Sequence, residues 1–223
     1  MADTLYLSLW YPNLRVEALA DKLTAVLGAF AAHGGEATVY AATVCPVSWR
    51  EAPVFERVYG RGANGPGAVL GAEPRLAVDE AFELLHEDCA YEFQIGWSLW
   101  ELKTEEDLPS GKRESLRAVA APGARWVREP RLVRITGYGP LFDEGAYQAD
   151  GHIRVDFGSD APFLEEDADL DSVAARHVEE NVRQLVELTA AVEKASGATK
   201  RLLWSELGES LAERLAARLG VFN

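Results

Sequence analysis

The stretch Ala90-Tyr91-Glu92-Phe93-Gln94-Ile95-Gly96-Trp97-Ser98-Leu99-Trp100 decides how this chain is read. Its odd positions, Tyr91, Phe93, Ile95, Trp97 and Leu99, are apolar. Its even ones are polar or small until Trp100. A period of two marks a strand with one face in a core. Working back from it, Leu76–Leu85, entered after Pro74, has helical spacing. Before that helix come two β-like runs, Val54–Tyr59 and Ala37–Val44, the latter closed by Pro46. Val16–Phe30 carries a stripe of Leu19, Leu23, Val26, Leu27 and Phe30, stopped at His33-Gly34-Gly35. Thr4–Trp10 alternates Leu5, Leu7 and Leu9 with Tyr6, Ser8 and Trp10.

The order β-α-β-β-α-β predicts a ferredoxin-like unit over residues 1–101. A basic, polar connection over 102–130 follows. Residues 131–223 read as a β-hairpin plus two helices, packed with the first unit or separate from it. The hairpin strands are Leu132–Tyr138 and His152–Phe157, and the helices are Asp171–Ala195 and Leu203–Leu219. The second helix rests on an i,i+4 ladder of Leu203, Leu207, Leu211, Leu215 and Leu219. The fold class expected is α+β with mainly antiparallel sheet.

Charge is sorted along the chain. There are 36 acids against 22 bases, a formal net charge of −14. Bases outnumber acids only between residues 101 and 140, where Lys112, Arg113, Arg117, Arg125, Arg128, Arg131 and Arg134 lie. An acidic run from Asp143 to Asp171 follows, interrupted only by Arg154, and the two blocks are expected to pair. A surface of this sign repels nucleic acid and anionic lipid. No apolar run approaches the roughly 18–20 residues of a membrane span. The N-terminus lacks a basic n-region, so the expected compartment is the cytoplasm. Cys45 and Cys89 fit that compartment as reduced core thiols.

No motif fixes a reaction. Gly60-Arg61-Gly62-Ala63-Asn64-Gly65 matches half of a dinucleotide fingerprint. Pro66, Gly67, Gly71 and Pro74 then forbid the helix that should open inside it. The four histidines form neither HxH nor HExxH, so neither metal nor cofactor is expected. His177 and Glu180, at i,i+3, would need a second such pair to hold a metal.

The candidate ligand residues are His152, Arg154 and Asp156, at period two, with Arg134 and Tyr138 on the strand before. An acid, a base and two arginines on one sheet face suit an anionic ligand or proton transfer. Tyr6, Trp10 and Trp100 share parity with the polar positions of their strands. They are expected to point away from the leucine-lined face, under the second half of the chain, under a second subunit, or toward a partner.

Two function classes stay open. One is a non-catalytic, acidic protein-binding module, whose partner is another protein or a second copy of this chain, and neither nucleic acid nor membrane. The other is a small-molecule enzyme or ligand binder acting on an anionic substrate at the polar strand face. Whether the chain is an enzyme is left undecided by the sequence.

Overall fold

A computed structural model describes residues 3–60, 71–103, 125–164 and 172–206. The fold is α+β, with one seven-stranded antiparallel sheet and several helices. The strands are β1 (Thr4–Trp10), β2 (Gly35–Pro46), β3 (Phe55–Val58), β4 (Cys89–Lys103), β5 (Arg125–Tyr138), β6 (Ile153–Ser159) and β7 (Lys200–Ser205). The helices are α1 (Val16–Ala32), α2 (Pro74–Ala81), two single turns α3 (Tyr147–Asp150) and α4 (Ala161–Leu164), and α5 (Ser172–Ser196). Among the described residues no helix is long and apolar enough to cross a membrane.

The sheet order is β3-β2-β4-β5-β6-β1-β7, which does not confirm the ferredoxin-like unit. That unit needs β1 paired within the set β1–β4. Instead β1 lies between β6 and β7. The reason lies in β4, which is taken on both sides. It pairs with β2 on one edge and with β5 on the other, in unbroken register from Ala90↔Tyr138 to Lys103↔Arg125. The leucines of β1 then match the apolar positions of β6, Leu7↔Val155 and Leu9↔Ile153. A one-residue slip would turn both rows out of the core. The described strands of the second half therefore extend the sheet, while α5 packs on its core face.

The ladder beginning at Leu203 also departs from expectation. Lys200–Ser205 is an edge strand, while residues 207–223 lie outside the described residues. Spacing of four is also even, so one rung fits a strand face as well as a helix stripe. The unfilled edge of β1 decides it: Leu203 packs on the core and Trp204 faces the other way, onto Tyr6.

One sheet face is the core. Leu5, Leu7, Leu9, Phe93, Ile95, Trp97, Val133, Ile135, Ile153 and Val155 are fully buried there against α1, α2 and α5. Gly137 belongs to this face, and a Cβ on it would lie 2.8 Å from Leu23 Cδ1, so α1 rests directly on the strand.

Beyond Ser98, whose N–H reaches Gly34 O at 3.2 Å, β4 has no strand on its β2 edge, because β2 begins at Gly35↔Trp97. Asn181 of α5 replaces the missing strand. Its Oδ1 accepts from the Trp100 N–H at 2.9 Å, and its Nδ2 donates to the carbonyls of Trp100 and Pro162, each at 2.8 Å. Trp100 here lies under the second half of the chain, one of the expected alternatives. Its ring stacks on His177 at 4.0 Å, and its indole N–H donates to Glu180 at 3.0 Å. The His177/Glu180 pair thus serves Trp100.

Candidate functional site on the open sheet face

Glu92 and Gln94 of β4 lie on the face opposite the core, and register carries that face across all seven strands. One row runs Trp204, Tyr6, Asp156, Arg134, Gln94, Ala41, Val58. The next runs Leu202, Ser8, Arg154, Thr136, Glu92, Thr43, Glu56. Among the described residues no long helix packs on these rows.

Arg154 is central. Its guanidinium lies 5.5 Å from the Tyr6 ring centroid and 5.6 Å from that of Tyr138, and it pairs with Asp150. Arg134 pairs with Asp156 at 2.8 Å, and the other oxygen of Asp156 accepts from the Gly158 N–H at 2.8 Å. Both arginines therefore hold their own carboxylates. Tyr6 stacks on Trp204 at 4.7 Å and donates to Glu206 at 2.8 Å. Burial first, then that bond and the charge of Asp156, push the Tyr6 phenol up to about 12.

One end of the face carries a small satellite core. Cys45, Ala90, Tyr138 and Phe142 cluster there, with Ala146 and Tyr147 packed against them. Trp49, in the β2–β3 loop, sets its ring edge-on to Phe142 at 5.1 Å and to Tyr138 at 6.3 Å. That loop is pinned at Val47, whose N–H donates to Asp88 O and whose carbonyl accepts from Asp143 N, both at 2.7 Å. Val47 sits at φ 60°, a left-handed conformation that a β-branched residue takes only under constraint. The constraint fixes Trp49 as a wall, 43% exposed.

Below that wall is a groove of about 330 Å³, bordered by Trp49, Tyr6, Glu92, Arg134, Thr136, Arg154 and Asp156. A second cavity of about 290 Å³ opens at the sheet end, between the start of α1 and the β5–β6 loop. It is bordered by Tyr11, Arg15, Leu19, Tyr138, Tyr147 and His152, among others. His152 Nδ1 accepts from the Tyr11 N–H at 3.2 Å, which places the neutral ring's proton on Nε2. Burial lowers the pKa of His152.

The five residues expected to form one site are thus divided. Arg134, Arg154 and Asp156 border the groove. His152 precedes β6 and borders the second cavity, as does Tyr138. Tyr138 is 1% exposed, and its hydroxyl and Arg154 Nε are buried without hydrogen-bond partners among the described residues. Burial, then several nearby acids, raise the Tyr138 phenol against the opposing pull of Arg154.

Sequence reasoning missed Trp49, Glu92 and Trp204. The signal for Trp49 was a tryptophan in the polar turn Ser48-Trp49-Arg50, where neither strand nor helix asks for one. Of the described part of the basic block, Arg134 pairs with Asp156 of the following acidic run, and Arg131 feels the charges of Asp156 and Asp160. Arg131 pairs with Glu101 and Arg128 with Glu180. Among the described residues no three His, Cys, Asp or Glu side chains come together to hold a metal. Cys45 and Cys89 are buried free thiols. Most of the glycine motif lies outside the described residues.

The chain matches no family model, no curated protein and no solved structure.

Proposed function

We propose that this chain is a non-catalytic binding module that holds another protein on the open face of its sheet. The observation that carries the reading is the make-up of that face. Trp49, Tyr6, Trp204, Arg134 and Arg154 stand together on rigid strands or a pinned loop, and interface hot spots are enriched in Trp, Tyr and Arg. Both arginines of the groove are already held by carboxylates, Arg134 by Asp156 and Arg154 by Asp150, which suits recognition better than proton transfer. The acidic composition and buried free thiols agree with a cytoplasmic setting.

The test is affinity purification from the source cells, comparing the native chain with the double variant Trp49→Ala, Arg134→Glu. A protein retained by the native chain and lost by a folded variant supports the reading. An identical set retained by both would refute it.

A second reading, a binder of small anionic ligands, is favoured by the His152 cavity. There Arg15 and the Nε2–H of His152 border one space, with the aromatic ring of Tyr147 at 4.7 Å from the imidazole. Resonance shifts at Tyr11, Tyr147 and His152 on titration with anionic metabolites would favour it over the first.

A further inference from the structure

The two arginines suggest an anion when counted alone, but the pairing around them cancels their charge. Arg134 is held by Asp156 and Arg154 by Asp150. Glu206 adds a further carboxylate through Tyr6. Glu92 borders the groove and has no ion-pair partner among the described residues, and Glu56 stands two places along the same row. The lining itself carries two carboxylates, Glu92 and Asp156, and two guanidinium groups, and Asp150 and Glu206 stand beside it, while Arg131, which feels Asp156, is already paired with Glu101. The Cys45 thiol is pushed up first by burial, then by Glu92 and Glu56.

A second observation is independent of charge. Thr136 borders the groove and is 4% exposed, yet its hydroxyl has no hydrogen-bond partner among the described residues. It lies directly across from Glu92 in the register. The residue is buried but its hydroxyl keeps contact with solvent, so it is an open hydrogen-bonding position for something that enters the groove. Trp49 and Tyr6 border the same space with aromatic rings, the surfaces on which a flat cation stacks.

We infer that the groove seats an arginine side chain of the partner protein, its guanidinium on Glu92 and Thr136 and its plane against Trp49. This rests on the reading of the open face as a docking surface and adds the chemistry of what docks. Arginine fits because its planar fork meets a carboxylate with two parallel hydrogen bonds while its face lies on a ring. The −14 net charge of the chain speeds the approach of a basic partner.

The experiment is a titration of the ¹⁵N-labelled full chain with acetyl-Gly-Arg-Gly-amide, and with the same peptide carrying citrulline, the neutral isostere. Arginine should shift the Trp49 indole and the amides of Thr43, Glu92 and Thr136. Citrulline, and arginine on the isosteric variant Glu92→Gln, should each bind about fivefold more weakly, the ratio expected for losing one half-exposed ion pair. The variant's own spectrum reports whether it is folded, and Thr136→Val gives a second, independent weakening. Equal binding of arginine and citrulline at these rows overturns the cation assignment and leaves the docking surface standing. Shifts that miss these rows, or none, overturn the inference, while the fate of the docking surface is read separately from the affinity purification.

Discussion

Asn181 is the residue on which the attachment of α5 to the sheet depends most directly, and replacing it with alanine tests the account of β4. The side chain is completely buried and makes three hydrogen bonds to backbone groups. Ser98 N–H, on the same edge of β4, reaches Gly34 O at 3.2 Å. Two residues on, β2 is gone and the amide of Asn181 stands in for it. In Asn181→Ala one N–H and two carbonyls lose their partner. A buried orphan costs about 1–3 kcal/mol, carbonyls least, since each can find a second donor. Trp100 is only half buried, so water recovers part of the loss at its two groups. The expected destabilisation is about 3 kcal/mol, a large share of the roughly 5–15 kcal/mol available to a folded chain. Urea unfolding followed by tryptophan fluorescence measures it as a lower midpoint at unchanged m. Asn181→Asp should lose at least as much at pH 7, because it keeps the acceptor but sets a carboxylate against two carbonyl oxygens. A loss below about 0.5 kcal/mol for the alanine variant would refute the idea that this amide completes the sheet edge.

Two further predictions concern the ends of the open face. Val47→Gly should stabilise the fold by about 1 kcal/mol, because glycine takes a positive φ without strain, although part of the gain is returned as unfolded-chain entropy. A higher urea midpoint checks it, and a lower one would mean that Val47 is not strained. His152 has a folded pKa below its ordinary value near 6.5, so the unfolded chain binds more protons in that window. Its contribution to stability is complete above that value and is lost as pH falls through it. Unfolding free energies at pH 7.5 and 5.5 should therefore drop more for the native chain than for His152→Asn, and equal drops would remove His152 as the cause.

What could be read from the chain was the local alternation. Leu5, Leu7 and Leu9, and the odd positions of β4, fell on the core face as expected, and so did the stripe of α1. Period fixes which residues of an element share a face, since that depends only on backbone geometry. The same parity placed Tyr6, Arg134, Arg154 and Asp156 on the other face before any neighbour was known. Which strands would be neighbours was not legible. Pairing joins segments far apart in sequence, such as Tyr6 with Trp204, and no local preference encodes it. Position 204 became a strand because β1 offered an open edge, and Trp100 came to be covered by α5 because β4 outran β2 and α5 filled the gap. The sign of the groove was equally a tertiary matter. A sequence counts charges, but only the fold shows that Asp150 and Asp156 have already claimed Arg154 and Arg134, leaving Glu92 without an ion-pair partner among the described residues.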